Sequence, residues 1–424
     1  MNEKTESPEY IEVSKKYTVS PIQTINKEVM DDFGINKEKE TVNIDLKIPK
    51  NFKTLYITGE SGSGKSTILK DAFKETTYDN DEFLNTPLIE MGLDVKKTLK
   101  VLNMFGLGDA SLFALKPTQL SDSQRKRAEI VRMVLDGNKI IVIDEFLSTL
   151  DRLTAKSISY NIKKNFDFLG IKLVAATAHT DLEEYLKPDV IVKGKSFPSR
   201  FTVVEREDNE YTDNPITNKV TLRKASKEEY REEVLGEIHY KGKYSGGKQE
   251  YFFAELSGFV IGVLVTNNLI SSNTRRISRV VVHPTFRGVG IAQMLIKYCI
   301  NSTDSKIDTL AAMAKYNPVF EKSGMHRVGD VKVKPPTGFK KNLEEFEFNI
   351  SLWGDLRYCV DFSSDKYFRE FVSKFADKTN KIIQPGGKSI SVEERARMIK
   401  ENPQTCGRVV WNFRERIMAK YVSE

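Results

Sequence analysis

The run Gly59-Glu60-Ser61-Gly62-Ser63-Gly64-Lys65-Ser66-Thr67 carries the spacing G-x-x-x-x-G-K-[ST], behind an apolar strand at Leu55–Thr58 and ahead of a helix. That arrangement suits phosphate binding. Gly59, Gly62 and Gly64 let the backbone wrap closely, so that its N–H groups and the helix start face an anion. Lys65 supplies a cation for the β- and γ-phosphates of ATP, Ser66 a hydroxyl for Mg²⁺, and Thr67 completes the nucleotide-binding set. A chance Gly/Ser turn would match the bare pattern but not its flanks.

"KIIVIDEF" gives the second chemical unit. Ile140–Ile143 reads as a buried parallel strand that delivers Asp144 and Glu145 at its C-terminal end, where open α/β sheets bind ligands. Asp144 is suited to hold Mg²⁺, and Glu145 to orient or deprotonate an attacking water. "KLVAATAHTDLEE" is another apolar strand, ending at His179; a lone His is usually structural, but one directly after a core strand could contact a γ-phosphate.

Phosphate loop, Leu120-Ser121-Asp122-Ser123-Gln124, IIVIDE, STLD (Ser148–Asp151) and a strand-terminal His, in this order over residues 5–205, resemble the ATPase domain of the ABC superfamily. The resemblance makes Ser121 and Gln124 part of the signature segment, Ser148–Asp151 the D-loop and His179 the switch histidine. It implies head-to-tail pairing, with nucleotide held between one phosphate loop and the other subunit's signature helix, most simply in a homodimer. Three departures stand out. Asp122 and Ser123 replace the two glycines of LSGGQ, and a carboxylate there opposes a γ-phosphate unless it turns aside. No Gln occurs between Thr67 and Gln119, so Asn85 or Glu90 must stand in for the Q-loop glutamine. Only 52 residues separate Thr67 from Leu120, which reduces the surface that couples to a membrane partner.

After the polar stretch 208–219 the texture changes. "KVTLRKAS" is a strand before the helix-like "KEEYREEVLGEIHY", and "YFFAELSGFVIGVLVTNN" is a hairpin bending near Gly258. Strand residues Ile277–Val282 then precede His283-Pro284 and Arg287-Gly288-Val289-Gly290-Ile291-Ala292, a glycine-bearing loop that opens an amphipathic helix and offers N–H groups to a pyrophosphate. Glycines are common in strand-to-helix turns. Yet R-x-x-G-x-[GA], with "LAAMAKYNPVFEKSGMHRVG" about 35 residues on, resembles the GNAT acyltransferases over residues 218–352. The resemblance implies that Val282, Arg287, Gly288, Val289, Gly290 and Ala292 bind acetyl-CoA, that Asn317 lies beside the splayed strand, and that "EFEFNIS" is the last strand. Phe320 stands where many GNAT enzymes carry a tyrosine acid, leaving Tyr316 as a substitute. His239 and Tyr240 fall where the acceptor pocket is built, as a base or a platform; an ordinary helix-end His beside a packed Tyr is the alternative. The "IHYKGKY" and "KYNPVFEKSGM" segments also resemble, more distantly, Mom-like phage enzymes that modify DNA bases.

The elements that must position these groups define an α/β chain. A P-loop NTPase domain of ABC type (1–207) is followed by a linker (208–219), an α/β GNAT domain (220–352) and a mainly helical, basic extension (353–424). At 424 residues, with 39% hydrophobic and 29% charged residues, the chain is long enough for separate cores. No apolar run approaches the roughly 20 residues of a membrane span, and the N-terminus has no signal-peptide core, so a cytoplasmic protein without membrane contact is expected. Cys299, Cys359 and Cys406 lack metal-ligand spacing and fit a reducing compartment. Net charge is +7, of which +5 falls in residues 331–424 (18 Lys/Arg less 13 Asp/Glu). That permits nucleic-acid contact, with Trp411, Phe413, Arg414 and Arg416 as stacking and phosphate groups, although a core Trp beneath surface arginines is the more common arrangement.

These features point to an ATP-regulated acyl-CoA-dependent N-acyltransferase acting on a macromolecular acceptor, a DNA or RNA base. The alternative is an ATP-dependent nucleic-acid- or protein-binding clamp with a degenerate GNAT domain. A transporter ATPase subunit is disfavoured by the short helical region and the fused second domain.

Overall fold

The computed structural model describes residues 10–19, 40–73, 80–195, 200–206, 214–233, 235, 249–268, 274–311, 314, 317–354, 356–383 and 390–423. They form two compact units: residues 1–218 with Pro284–Val289, and Lys219–His283 with Gly290–Glu424.

In the first unit, β1 (Tyr10–Val19) and β2 (Glu40–Pro49) form an antiparallel ribbon. There follow β3 (Thr54–Gly59), α1 (Lys65–Ala72), α2 (Asp81–Asn85), α3 (Val95–Met104), α4 (Asp122–Leu135) and β4 (Ile140–Ile143). Next come α5 (Arg152–Leu169), β5 (Lys172–Thr177), α6 (Glu183–Leu186), β6 (Val190–Lys195) and β7 (Arg200–Glu205). The sheet order is β4-β5-β3-β6-β7, parallel except for β7. Strand alternation builds two cores from it. Leu55, Ile57, Val174 and Ala176 face the ribbon and α1, whereas Tyr56, Leu173 and Ala175 face Leu102, Val131 and Ile162 of α3, α4 and α5. The uninterrupted burial of β3 and β5 is what a parallel sheet covered on both faces requires.

The second unit contains β8 (Val220–Ala225), α7 (Lys227–Glu232), β9 (Gln249–Leu256), β10 (Phe259–Asn268), β11 (Thr274–Val282), α8 (Ile291–Asn301) and β12 (Lys306–Ala311). Then come α9 (Val319–Lys322), β13 (His326–Val333), α10 (Phe339–Leu343), α11 (Leu356–Phe362), α12 (Lys366–Ser373), α13 (Asn380–Ile383), α14 (Val392–Glu401), α15 (Pro403–Phe413) and β14 (Arg416–Val422). The β9–β10 hairpin turns on Ser257 (φ 52°) and Gly258 (φ 83°), the two left-handed residues of a tight turn.

Sheet order in this unit is β13-β14-β12-β11-β10-β9-β8. Two expectations need correction. "EFEFNIS" is not a strand: residues 344–346 and 350–352 are short 3₁₀ turns, because Phe346 and Phe348 turn into the aromatic core of the helices, against Phe368 and Phe371. The last strand is β14, inserted between β12 and β13 and antiparallel to both. The helices from Phe339 to Phe413 are therefore an insertion between two strands of one sheet. They keep their own core, in which Trp353 packs on Phe339 and Phe348 and donates to the Val410 carbonyl at 2.7 Å.

Candidate functional site

Because β3, β4 and β5 are parallel, their C-terminal ends share one edge of the sheet, and that edge gathers Gly59–Thr67, Asp144, Glu145 and His179. Gly59, Gly62 and Gly64 hold φ of 138°, 80° and 100°, so the loop needs glycine at all three. At Gly59 a Cβ would also lie 2.0 Å from the Gly194 carbonyl. Gly64 precedes α1 with no side-chain cap, leaving the helix's first amides to an incoming anion. Lys65, buried, curls back to donate to the carbonyls of Gly59 (3.0 Å) and Glu60 (2.8 Å). Ser63, overlooked in the sequence reading, has a buried hydroxyl without a partner, within the loop itself. The uncapped helix, the cation across the loop and this orphan hydroxyl fit a nucleotide phosphate.

Asp144 accepts the Glu145 amide at 2.9 Å. Glu145, exposed, and Leu147, buried, are both left-handed (φ 48° and 52°), and the Phe146 amide is tied to the Ala176 carbonyl at 2.7 Å. Non-glycine residues held in this region store strain, which concentrates at functional sites. The His179 carbonyl accepts from the Tyr56 hydroxyl and, at 2.8 Å, from Thr58 Oγ1, so β3 fixes both the phosphate loop and the histidine. Burial pushes the Tyr56 phenol up, which keeps it a donor. Asp151, at the end of the D-loop stretch, caps α5 through the Thr154 amide at 2.9 Å.

Ser121 and Gln124 form a reciprocal capping box at the start of α4. Gln124 is thus held by the helix end itself. Asp122 pairs with Arg125 at 3.2 Å and stays exposed. Asn85 donates to its own helix at the Asp81 carbonyl, and Glu90 lies in a 3₁₀ turn.

In the second unit, β11 and β12 pair in parallel only from Thr274/Lys306 to Ile277/Thr309. Past that point β11 runs on to Val282 with β10 alone, and β12 turns to β14. The sheet opens there, with Thr309 Oγ1 donating to the Ile277 carbonyl at 3.1 Å at the apex. Gly290 (φ 110°) precedes α8 without a side-chain cap, and Ala292 lies in the first turn. Close packing of α8 on the sheet requires Gly262, whose Cβ would meet Ile291 at 2.9 Å. Asn317 accepts the Val319 amide at 3.1 Å and starts α9. Phe320 is buried and stacks on Tyr421 of β14 at 5.4 Å, and the Tyr421 hydroxyl donates to Glu321 at 2.7 Å. His239, Tyr240 and Tyr316 lie outside the described residues. Trp411 donates to the Gly354 carbonyl and carries Arg414 on its ring at 3.6 Å, so this pair is engaged within the helical core.

The loop Pro284–Val289 packs as part of the first unit. Arg287 pairs with Asp109 at 3.2 Å, and Gly288 (φ 85°) sits where a Cβ would lie 2.2 Å from Asn161 Nδ2. The donors that hold this loop, Arg127, Ser157, Lys164 and Asn214, were not singled out from the sequence. One signal was present. Arg127 falls on the apolar face of α4 with Ile130, Val131 and Val134, an unusual place for a cation.

No helix among the described residues is long and apolar enough to cross a membrane, and among them no group of three metal-ligating side chains gathers. The cysteines are free and buried; burial pushes Cys299 and Cys406 up to about 12.

A family model for an acetyltransferase (GNAT) domain matches residues 209–335. Methionine import ATP-binding protein MetN 1 of Oceanobacillus iheyensis is 37% identical over 82 residues, 19% of this chain and 24% of that protein. The spermidine/putrescine import ATP-binding protein PotA of Aggregatibacter actinomycetemcomitans is 27% identical over 209 residues, 39% of this chain and 55% of that protein. The chain thus spans between a quarter and about half the length of these curated relatives. Among solved structures, the dimeric ABC transporter cassette MJ0796 is 19% identical, with a TM-score of 0.32 over 46% of this chain and 97% of that one. The chain carries an ABC-type ATPase portion followed by a GNAT-type acetyltransferase domain.

Proposed function

We propose that this protein is an ATP-regulated, acyl-CoA-dependent N-acyltransferase that modifies a macromolecular acceptor, a base of DNA or RNA. The carrying observation is the coexistence, in one chain, of a phosphate loop with its strand-end acids and an opened β11/β12 sheet followed by a glycine loop and an uncapped helix. The basic balance of residues 331–424 supports a nucleic-acid acceptor.

In this reading the acceptor nitrogen attacks the thioester carbonyl, a C–N bond forms, and the C–S bond breaks to release CoA. The nitrogen's proton passes to a base, with His239 the candidate, and the departing sulfur takes a proton from an acid, with Tyr316 the candidate. Backbone donors beside the sheet opening stabilise the oxyanion. Thioester chemistry needs no ATP energy, so ATP serves to close two head-to-tail copies and thereby arrange the transferase sites. Lys65 and the amides of Gly62–Thr67 bind the phosphates, Glu145 and His179 face the γ-phosphate, and the partner's Ser121 and Gln124 complete the site. Ser66 and Asp144 would hold Mg²⁺, whose charge neutralises the phosphates. A second reading, a clamp with a non-catalytic GNAT domain, is favoured by Phe320, which cannot donate a proton.

Mass spectrometry of nucleosides from cells expressing wild type, Lys65→Ala or Gly290→Asp separates the readings. An acylated base lost in both variants is expected. No modified base from a wild type that binds acetyl-CoA refutes the nucleobase acceptor.

A further inference from the structure

Four carbonyls of the loop Pro284–Val289 accept side-chain hydrogen bonds, beside the side-chain contacts of Thr285 with Thr154 and of Arg287 with Asp109. Thr285 O accepts from Arg127 Nη2 at 2.9 Å and Ser157 Oγ at 2.5 Å, and Arg287 O accepts from Arg127 Nη1 at 3.4 Å. Gly288 O accepts from Lys164 Nζ, and Val289 O from Asn214 Nδ2 at 3.0 Å. In a trans peptide the C=O and the next residue's N–H point in opposite directions. Anchoring the carbonyls of Arg287, Gly288 and Val289 therefore turns the amides of Gly288, Val289 and Gly290 the other way. Successive amides fixed in this manner, through left-handed glycines at 288 and 290, make an anion-binding concavity.

The anchoring donors belong to elements of the nucleotide-binding unit. Arg127 is on α4, the helix capped by Ser121, and Ser157 and Lys164 are on α5, which is capped by Asp151. Arg127 is 3% exposed and also donates to the Phe105 carbonyl at 3.3 Å. Desolvation, then the nearby Arg287, lowers its pKa to about 10. A guanidinium so buried is tolerated only where its donors are used, and each of these bonds ends on a carbonyl of a loop. Six residues of helix separate Arg127 from Ser121, a rigid span of about 9 Å.

We infer that Arg127, with Ser157 and Lys164, is a positioning residue for the acyl-CoA phosphate loop, and that α4 thereby links nucleotide binding to acyl-CoA binding. This rests on the reading above, in which Ser121 and Gln124 face a partner's ATP and residues 287–290 bind CoA. Nucleotide that immobilises the start of α4 stiffens the hold of Arg127 on Thr285 and Arg287 and tightens CoA binding. By reciprocity, CoA tightens nucleotide binding by the same factor.

The test is calorimetric titration of free CoA into the full chain, with and without a non-hydrolysable ATP analogue and Mg²⁺. Wild type is expected to bind CoA at least about 5-fold more tightly with the analogue. Arg127→Lys keeps the charge but replaces the planar fork, whose two nitrogens reach the carbonyls of Phe105, Arg287 and Thr285, with a single ammonium, so that ratio falls toward one. Lys164→Ala, an exposed truncation that leaves the core intact, weakens CoA by about 3- to 10-fold, as does Ser157→Ala. An analogue effect that is absent in wild type, or equal in wild type and Arg127→Lys, overturns the linkage. CoA affinity unchanged in Lys164→Ala and Ser157→Ala overturns the positioning role. A wild type that binds no CoA under either condition refutes the transferase reading itself, and this inference with it.

Discussion

Gly288 and Gly137 are a matched pair. Both are left-handed, at φ 85° and 81°, but a Cβ on Gly137 meets nothing within 4 Å, whereas one on Gly288 falls 2.2 Å from Asn161 Nδ2 and 3.2 Å from the Met104 carbonyl. Alanine at either site incurs about 1–2 kcal/mol of left-handed strain and recovers about 0.4–1 kcal/mol through a stiffer unfolded chain. These contributions are common to both and cancel in the comparison. Only Gly288→Ala displaces Asn161, which is buried and donates to Met104 O at 2.9 Å. Asn165 still satisfies that carbonyl at 2.7 Å, so the loss is one stranded buried donor, about 1–3 kcal/mol. At about 2–4 °C per kcal/mol for a unit of this size, Gly288→Ala should melt about 2–12 °C below Gly137→Ala in scanning calorimetry of the full chain. CoA binding should weaken in the first variant only. Melting temperatures within about 1 °C of each other would show that the loop is not seated on Asn161, and the carbonyl-anchoring argument would fail with it.

Lys65→Ala should abolish ATP binding by equilibrium titration, and Glu145→Gln should bind ATP but turn it over at least about 100-fold more slowly; undiminished hydrolysis by the latter refutes the role of Glu145. Deleting residues 353–424 should not release a dispensable extension. It removes β14, leaves β12 and β13 without the strand they both pair with, and should give an insoluble or molten second unit by circular dichroism and proteolysis. Burial acts to raise the Asp151 carboxyl, but hydrogen bonds from Thr154 and Leu153 outweigh it and hold its pKa below the ordinary 3.8. A depressed carboxylate contributes stability that is present above its unfolded pKa and lost as pH falls through the folded one. Asp151→Asn should therefore flatten the acid limb of the melting curve below about pH 4, and an unchanged limb would show that the cap contributes nothing.

Local chemistry made the phosphate loop, the strand-end acids and the glycine loop readable. Each is a short stretch whose residue types and flanks suffice to state its geometry. What could not be read was non-local. "EFEFNIS" alternates like a strand, and only the aromatic ring of Phe346, Phe348, Phe368 and Phe371 explains why it coils instead. The strand that takes its place, Arg416–Val422, reaches its neighbours across the whole helical insertion, and no periodicity encodes such a pairing. The linker reading shows the same limit. Asn214 looks like a polar loop residue, yet it organises its own turn through the amides of Ile216 and Thr217 while its amide group holds Val289.

The altered signature gains a physical sense from the structure. A glycine pair at the start of α4 would lower helix propensity by about 1 kcal/mol per residue and let the first turn fray. Asp122 and Ser123 do the reverse. A carboxylate in the first turn interacts favourably with the helix dipole, Ser121 and Gln124 close a reciprocal cap, and Asp122 braces Arg125 one turn on. Asp122 and Ser123 in place of flexible glycines therefore yield a helix ordered from its first residue. Order at that end is of consequence only if something further along depends on it. In this chain the dependent group is Arg127, which buries its charge to grip the carbonyls of Thr285 and Arg287. In the proposed linkage a frayed first turn would blur what a capped one passes on, and Asp122 and Ser123 are residues that such a link would require.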